Sequence, residues 1–291
     1  EPQGGYVMRL AMISREGRPG LALCKGGEMR ALFEGEPGYP GSLEGLLAAG
    51  ADLKAVGALL QKAPALNPES VRWLPPIQRP GKIVCVGLNY RDHSKETGYD
   101  VPDYPTLFLR FTTTLVGHGE PIVRPAVSTQ LDYEGELAVV IGRKGHNIPK
   151  GEALEHVAGY SLFNDASIRD YQFRTPQWTV GKNFDGTGPF GPWLVTPEEL
   201  PPGCAGLGIQ TRLNGTVMQK ASIDDMMFDV ASLVSIISEV ATLEPGDVIV
   251  TGTPAGIGFA RDPKVFMAPG DVCEVEVEGV GVLRNGVADA V

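Results

Sequence analysis

Long apolar runs are missing from this chain. No stretch approaches the ~18 residues that a membrane span needs, and no signal peptide is recognisable, so neither a membrane partner nor secretion is expected. Cysteine is scarce: Cys24, Cys85, Cys204 and Cys273 are scattered, with no C-x-x-C and no histidine at metal-binding spacing. That excludes a thiolate zinc site and predicts reduced, buried thiols in a cytoplasmic protein. Positive charge is also short, with 25 Lys and Arg against 35 Asp and Glu and a formal net charge of −10. A nucleic-acid partner would want a basic face, so none is expected. The glycine-rich stretch Thr251 to Gly258 lacks both the Lys-Ser/Thr ending of a phosphate loop and the G-x-G-x-x-G order of a dinucleotide fold. No repeat recurs at a fixed period.

What the chain does have is length and apolar content. Its 291 residues, 43% hydrophobic, suffice for one large domain with a small appendage. The seven residues before Met8 read as a vector-derived remnant, with Met8 the natural start. Residues 6–35 alternate apolar and polar between glycines, which predicts short strands. Leu43, Leu46 and Leu47, then Leu53, Val56, Leu59 and Leu60, keep helical spacing on either side of Gly50. The proline-rich stretch from Pro64 to Pro80 reads as a linker, since prolines stiffen the chain and remove backbone donors. We expect a small N-terminal α/β domain over 1–75 and a larger domain over 76–291. In the larger part, strands are expected over Lys82 to Val86, Leu137 to Ile141, Val248 to Thr251 and Val272 to Val277. A hairpin should turn at Asn214-Gly215. Helices are expected over Glu152 to Val157 and from about Asp229, where Leu233, Ile236, Ile237 and Val240 make one stripe. This is a mixed, β-rich α+β pattern and not a doubly wound one.

The chemistry concentrates in Leu131 to Gly142, LDYEGELAVVIG. Asp132, Glu134 and Glu136 occupy alternate positions leading into an apolar strand, so their side chains should share a face. A harmless solvated face is one reading. The apolar continuation points inward, however, and unpaired charge is costly there. A second strand-like run, Gly159 to Phe163, delivers Asp165 at its end. A divalent cation held by Glu134, Glu136 and Asp165 would resolve the repulsion, and all-oxygen ligation selects a hard ion, Mg²⁺, Mn²⁺ or Ca²⁺. Three protein ligands leave positions open for water or substrate. Beside such a site Arg169 and Lys182 become candidate carboxylate clamps. His93 and Glu96, three apart, would face each other on a helical turn, with Glu96 orienting His93 as a base. Thr253 could offer its hydroxyl to an anion. His118, His146 and His156 are assigned structural or surface roles.

Taken in order, VGLNYRDHSKETG, PTLFLR, LDYEGELAVVIG, GYSLFNDASIRDYQ, WTVGKNFDGTGPFGP, LNGTVMQ, LEPGDVIVTGTPAGIG and PGDVCEVEVEGVG resemble the fumarylacetoacetate hydrolase family. The resemblance is to its acylpyruvate hydrolase and oxaloacetate decarboxylase-like branch, and it runs from about Lys82 to Asn285. It implies the β-sandwich roll of that family, a small N-terminal domain and a homodimer. It also implies Mg²⁺ or Mn²⁺ on Glu134, Glu136 and Asp165, with His93 and Glu96 catalytic on a short lid helix. Arg169, Gln172, Lys182 and Thr253 match pocket-lining positions, with Lys182 also catalytic. Asp132 precedes the pair in many relatives without being a ligand.

Relatives commonly read L-F-x-K-P where this chain has Leu107-Phe108-Leu109-Arg110-Phe111. Arg110 is therefore a candidate substrate contact, and the missing proline predicts a looser loop. The expected substrate is a small anionic 2-oxo acid. The leading expectation is hydrolysis of a C–C bond in a 2,4-dioxo acid, leaving a pyruvate-type enolate on the metal. The runner-up uses the same enolate: decarboxylation of an oxaloacetate-like acid, or isomerisation or hydration of a 2-oxo-alkenoate in aromatic or sugar-acid catabolism. A non-catalytic binding module is set aside because the acids, His93, Glu96 and Lys182 are all present.

Overall fold

The strand Gly135–Ile141 explains the architecture best, because all seven of its residues are buried. Leu137, Val139 and Ile141 enter one core with Ile209, Val275, Leu233 and Ile237. Ala138 and Val140, on the opposite face, enter a second core with Leu10, Leu47, Leu194 and Phe190. A strand covered on both faces reads as a continuous apolar run, as this one does. The computed structural model describes residues 8–98 and 103–290; the segment before Met8, read from the sequence as a remnant, lies outside the described residues.

Gly135–Ile141 lies inside a 12-stranded sheet. Along its main path this sheet runs Ala65–Leu66, Glu28–Phe33, Arg18–Lys25, Arg9–Arg15, Gly188–Val195, Val157–Asn164, Gly135–Ile141, Val248–Val250, Ile83–Gly87 and Thr106–Leu109. The first strands of the chain thus continue the sheet that carries the acids: Arg9 pairs with Val195 and Leu10 with Leu194. The proline-rich stretch contributes two short strands, Ala65–Leu66 against Glu28–Phe33 and Arg72–Trp73 against Arg9–Arg15. A second sheet of five strands packs on the first through Ile209, Val275, Val277 and Leu283, which makes the molecule a β-sandwich roll of mixed α+β class.

Helix Val230–Val240 starts at Asp229, whose side chain accepts from the Ser232 N–H, and buries Leu233 and Ile237. Helices Leu43–Ala48 and Leu53–Leu60 flank Gly50, whose φ of 65° breaks the run between them. The expected helix at Glu152 to Val157 is instead a 3₁₀ turn, Lys150–His156. It opens behind Pro149, contains Gly151 and runs straight into Val157–Asn164, which leaves no length for a stable α-helical ladder. Asn214 and Gly215 adopt positive φ and turn Gly208–Leu213 into Thr216–Ser222. All four cysteines are free and buried.

Candidate active site

Three adjacent strand ends converge at one point. Gly135 pairs with Asn164 and Glu136 with Phe163, so Asp165 emerges beside the E-x-E pair, and its N–H donates to the Glu134 carbonyl at 2.9 Å. On the other flank Val248–Val250 pairs with Val140 to Ala138 and runs on to Gly252, whose N–H donates to Glu136 Oε2 at 2.6 Å. Glu134, Glu136 and Asp165 are buried, and each offers a carboxylate oxygen within 4.8 Å of the others. Asp132 does not join them. It sits on the two-residue strand Leu131–Asp132 and accepts from Arg169 and from the Gly258 and Phe259 N–H groups.

Such a cluster cannot stand in a core uncompensated. Lys182 Nζ lies 2.9 Å from Glu134 Oε2 and 2.6 Å from Asp165 Oδ2. Arg169 Nη1 lies 2.7 Å from Glu134 Oε1, and Arg110 Nη1 lies 2.5 Å from Asp165 Oδ1. Burial opposes ionisation of Glu134, yet Lys182 and Arg169, helped by His93, outweigh it and hold the carboxyl far below its usual range. Glu136 goes the other way, driven up first by burial and then by the charges of Asp165 and Glu134. Lys182 is pushed up: burial opposes its charge, but Asp165 and Glu134 more than compensate.

The donor chemistry fits a hard divalent cation. Four buried acids, Asp132, Glu134, Glu136 and Asp165, face three buried cations, Arg110, Arg169 and Lys182. Among the described residues Glu136 makes no ion pair, although it lies within reach of two other carboxylates. One positive group is missing from the balance, at the place where three oxygens converge.

Above the cluster opens a cavity of about 420 Å³. Glu134, Lys182, Arg169, Gln172 and Thr253 reach its wall, as do His93 and Glu96. Glu136, Asp165 and Arg110 lie behind that wall. His93 Nδ1 and Glu96 Oε1 are 2.9 Å apart on helix Arg91–Thr97, and Glu96 in turn accepts from the Gly256 N–H. The loop after Val248–Val250 therefore fixes the carboxylate that fixes the imidazole. Gln172 Oε1 accepts from Arg169 at 2.8 Å. Thr253 Oγ1 donates to the Gly135 carbonyl and accepts from Gln219, so its hydroxyl is already engaged.

Two expectations about the L-F-L-R-F stretch change. Arg110 is fully buried, tied to Asp165, the Ala166 carbonyl and Thr187, and it does not line the cavity. The loop is not loosened by the missing proline, because Phe111 uses the N–H that a proline would lack to reach Asn183 Oδ1 at 2.7 Å.

Several residues escaped the sequence reading. Asn89 binds the Thr251 and Phe228 carbonyls and the Phe228 N–H; Gln219 binds the Gly135 N–H and Thr253; Asn164 accepts from the Glu134 N–H. Asp132 organises Arg169. Each acts on backbone or on another side chain across long sequence separations. Only the recurrence of polar residues at strand ends could have signalled them.

A buried carboxylate triad that can coordinate a metal, reaching through Glu134 the wall of a cavity that also carries a histidine–glutamate pair, defines the class: a metal-dependent enzyme. The chain belongs to the fumarylacetoacetate hydrolase family, whose model "Fumarylacetoacetate (FAA) hydrolase C-terminal" matches residues 82–288. It is 40% identical over 272 residues to "Oxaloacetate tautomerase FAHD2A, mitochondrial" of Homo sapiens, covering 92% of this chain and 86% of that one. Fumarylacetoacetate hydrolase from Exiguobacterium antarcticum superposes with a TM-score of 0.85 at 38% identity, covering 97% of this chain and all of that one. For 2-hydroxyhepta-2,4-diene-1,7-dioate isomerase from Mycobacterium marinum the TM-score is 0.76 at 34% identity, with 97% of this chain and 98% of that one covered.

The expectation of a cytoplasmic protein is overturned by these relatives, since the human tautomerase and its counterparts in Bos taurus are named as mitochondrial. Four free, buried cysteines do not distinguish the cytoplasm from a mitochondrion.

Proposed function

We propose that this protein is a metal-dependent tautomerase or isomerase of a small 2-oxo acid, moving a proton between the carbon next to the oxo group and another atom of the same conjugated system. The observation that carries this reading is one cavity wall holding both the carboxylate–cation floor, Glu134, Lys182 and Arg169, and the His93–Glu96 pair. Of the relatives named above, one is called an oxaloacetate tautomerase and another a dienedioate isomerase, against one called a hydrolase, and this balance supports isomerisation over C–C hydrolysis. The hydrolase expectation therefore yields to its runner-up.

Glu134, Glu136 and Asp165 would hold the divalent cation, with Mg²⁺ and Mn²⁺ the ions that suit the donor set. When bound, that cation supplies positive charge against which the carboxylate and 2-oxo oxygen of the substrate, and the charge developing between them, are stabilised. Arg169, held by Asp132, adds a fixed guanidinium at the same wall. Glu96 engages His93 Nδ1 and orients the ring, and the imidazole is the group that exchanges a proton with the substrate. His93 takes the proton from one position and returns it at the other, and no atom is gained or lost overall. Such general acid–base help is worth roughly 10²–10⁴-fold.

The test tracks the decay of an enol absorbance, with phenylpyruvate beside oxaloacetate so that an apolar tail and a second carboxylate are compared on the same 2-oxo acid head, under added Mg²⁺ or Mn²⁺ and under chelation. The reading expects activity that depends on the added ion and falls at least about 100-fold in His93→Ala. An equal rate of pyruvate release from an acylpyruvate would return the assignment to hydrolysis. Full activity after chelation would end both.

A further inference from the structure

Beyond its polar wall, the cavity is walled by aromatic rings. Phe108 and Trp178 pack edge to face with centroids 5.5 Å apart, and Phe173 and Phe259 pair at 5.2 Å, with Ile257 also in the lining. Trp178 lies against the strand because residue 87 is glycine: a Cβ there would come within 2.3 Å of the indole. Lys182 Nζ sits 5.1 Å from the Phe108 ring centre, so the aromatic wall begins where the charged floor ends.

From this geometry we propose that the substrate is a 2-oxo acid carrying an apolar or aromatic tail, seated between Phe108/Trp178 and Phe173/Phe259, and not a compact diacid with a second carboxylate. The proposal rests on the 2-oxo acid reading and deepens it. A volume of about 420 Å³ exceeds what a four-carbon diacid fills and falls among sites that enclose larger ligands. A second buried carboxylate would need its own cation. Among the described residues lining the cavity, the Lys and Arg side chains are Arg169 and Lys182, and both are already committed to the acids of the floor and to the head of the substrate. Lys264 is exposed, with its ammonium 3.5 Å from the Phe259 ring centre, and it does not line the cavity.

N-substituted oxamates test this, because they present the carboxylate and adjacent carbonyl of a 2-oxo acid without turning over. Their binding to the full chain with saturating Mg²⁺ is measured by calorimetry for N-methyl, N-propyl, N-benzyl and N-carboxymethyl oxamate. The proposal expects affinity to rise about fourfold per added methylene and about tenfold or more from methyl to benzyl. It also expects the carboxymethyl compound to bind no better than the methyl one, and Trp178→Ala to shrink the benzyl-to-methyl ratio measured within that variant. A flat series, a preference for the carboxymethyl tail, or an unchanged ratio in Trp178→Ala overturns the proposal. If no oxamate binds with Mg²⁺ or Mn²⁺, the 2-oxo acid reading falls with it. If methyl oxamate binds and the tail adds nothing, only the tail assignment fails.

Discussion

Glu134 with Glu136 and Glu274 with Glu276 repeat the same spacing, two glutamates separated by one residue on or beside a strand, and they meet opposite fates. Glu274 and Glu276 lie on Val272–Val277, with side chains 23% and 35% exposed. Their partners stand directly across the ladder: Arg212 opposite Glu274 on one side, Arg284 opposite it on the other, and Gln210 opposite Glu276. Arg212 bonds both carboxylates, and its hydrogen bond, followed by that of Gln210, lowers Glu276 below the usual range. Solvent and cross-strand arginines neutralise that pair locally. Glu134 and Glu136 are buried, their cations arrive from distant segments, and Glu136 receives no cation among the described residues. The spacing is shared; burial and the missing positive charge are what make one pair, with Asp165, able to coordinate a metal.

The comparison can be broken from either side. The largest expected effect is on catalysis: Glu136→Gln or Asp165→Asn should lower ion-dependent kcat/KM by more than about 10²-fold, against no measurable change in Glu276→Gln, in a steady-state assay. His93→Ala should lower kcat by roughly 10²–10⁴-fold without weakening binding of the divalent ion, which separates the proton carrier from the ligands. Next comes stability. Arg110→Met removes one of the two cations on buried Asp165, leaving Lys182, and should cost up to about 3–5 kcal/mol in denaturant unfolding. Arg212→Met removes only part-exposed pairs and should cost less than about 1 kcal/mol, an effect that shrinks further in high salt.

Much of this could be read from the chain alone, for identifiable reasons. The strand Val272–Val277 and the Asn214-Gly215 turn were legible because alternation and positive φ leave marks on neighbouring residues. The triad was legible because like charges entering an apolar run demand an explanation. The partners were not. Arg110 pairs with Asp165 55 residues away, and Asp132 meets the Gly258 N–H 126 residues away; no local pattern encodes such contacts. The three acids placed on one face proved to be two, because Asp132 belongs to a separate short strand and turns toward Arg169. The helix expected at Glu152 to Val157 failed for another reason: Lys150–His156 is decided more by the strand it must feed, Val157–Asn164, than by its own residues.

The metal site stands or falls on a hard cation completing the charge balance among Glu134, Glu136 and Asp165. Titration of the metal-free chain with Mn²⁺, read by calorimetry, tests it directly. One ion should bind per chain, binding should vanish in Glu136→Gln, and it should persist unchanged in Glu276→Gln. Equal Mn²⁺ binding by the wild type and Glu136→Gln would contradict the account.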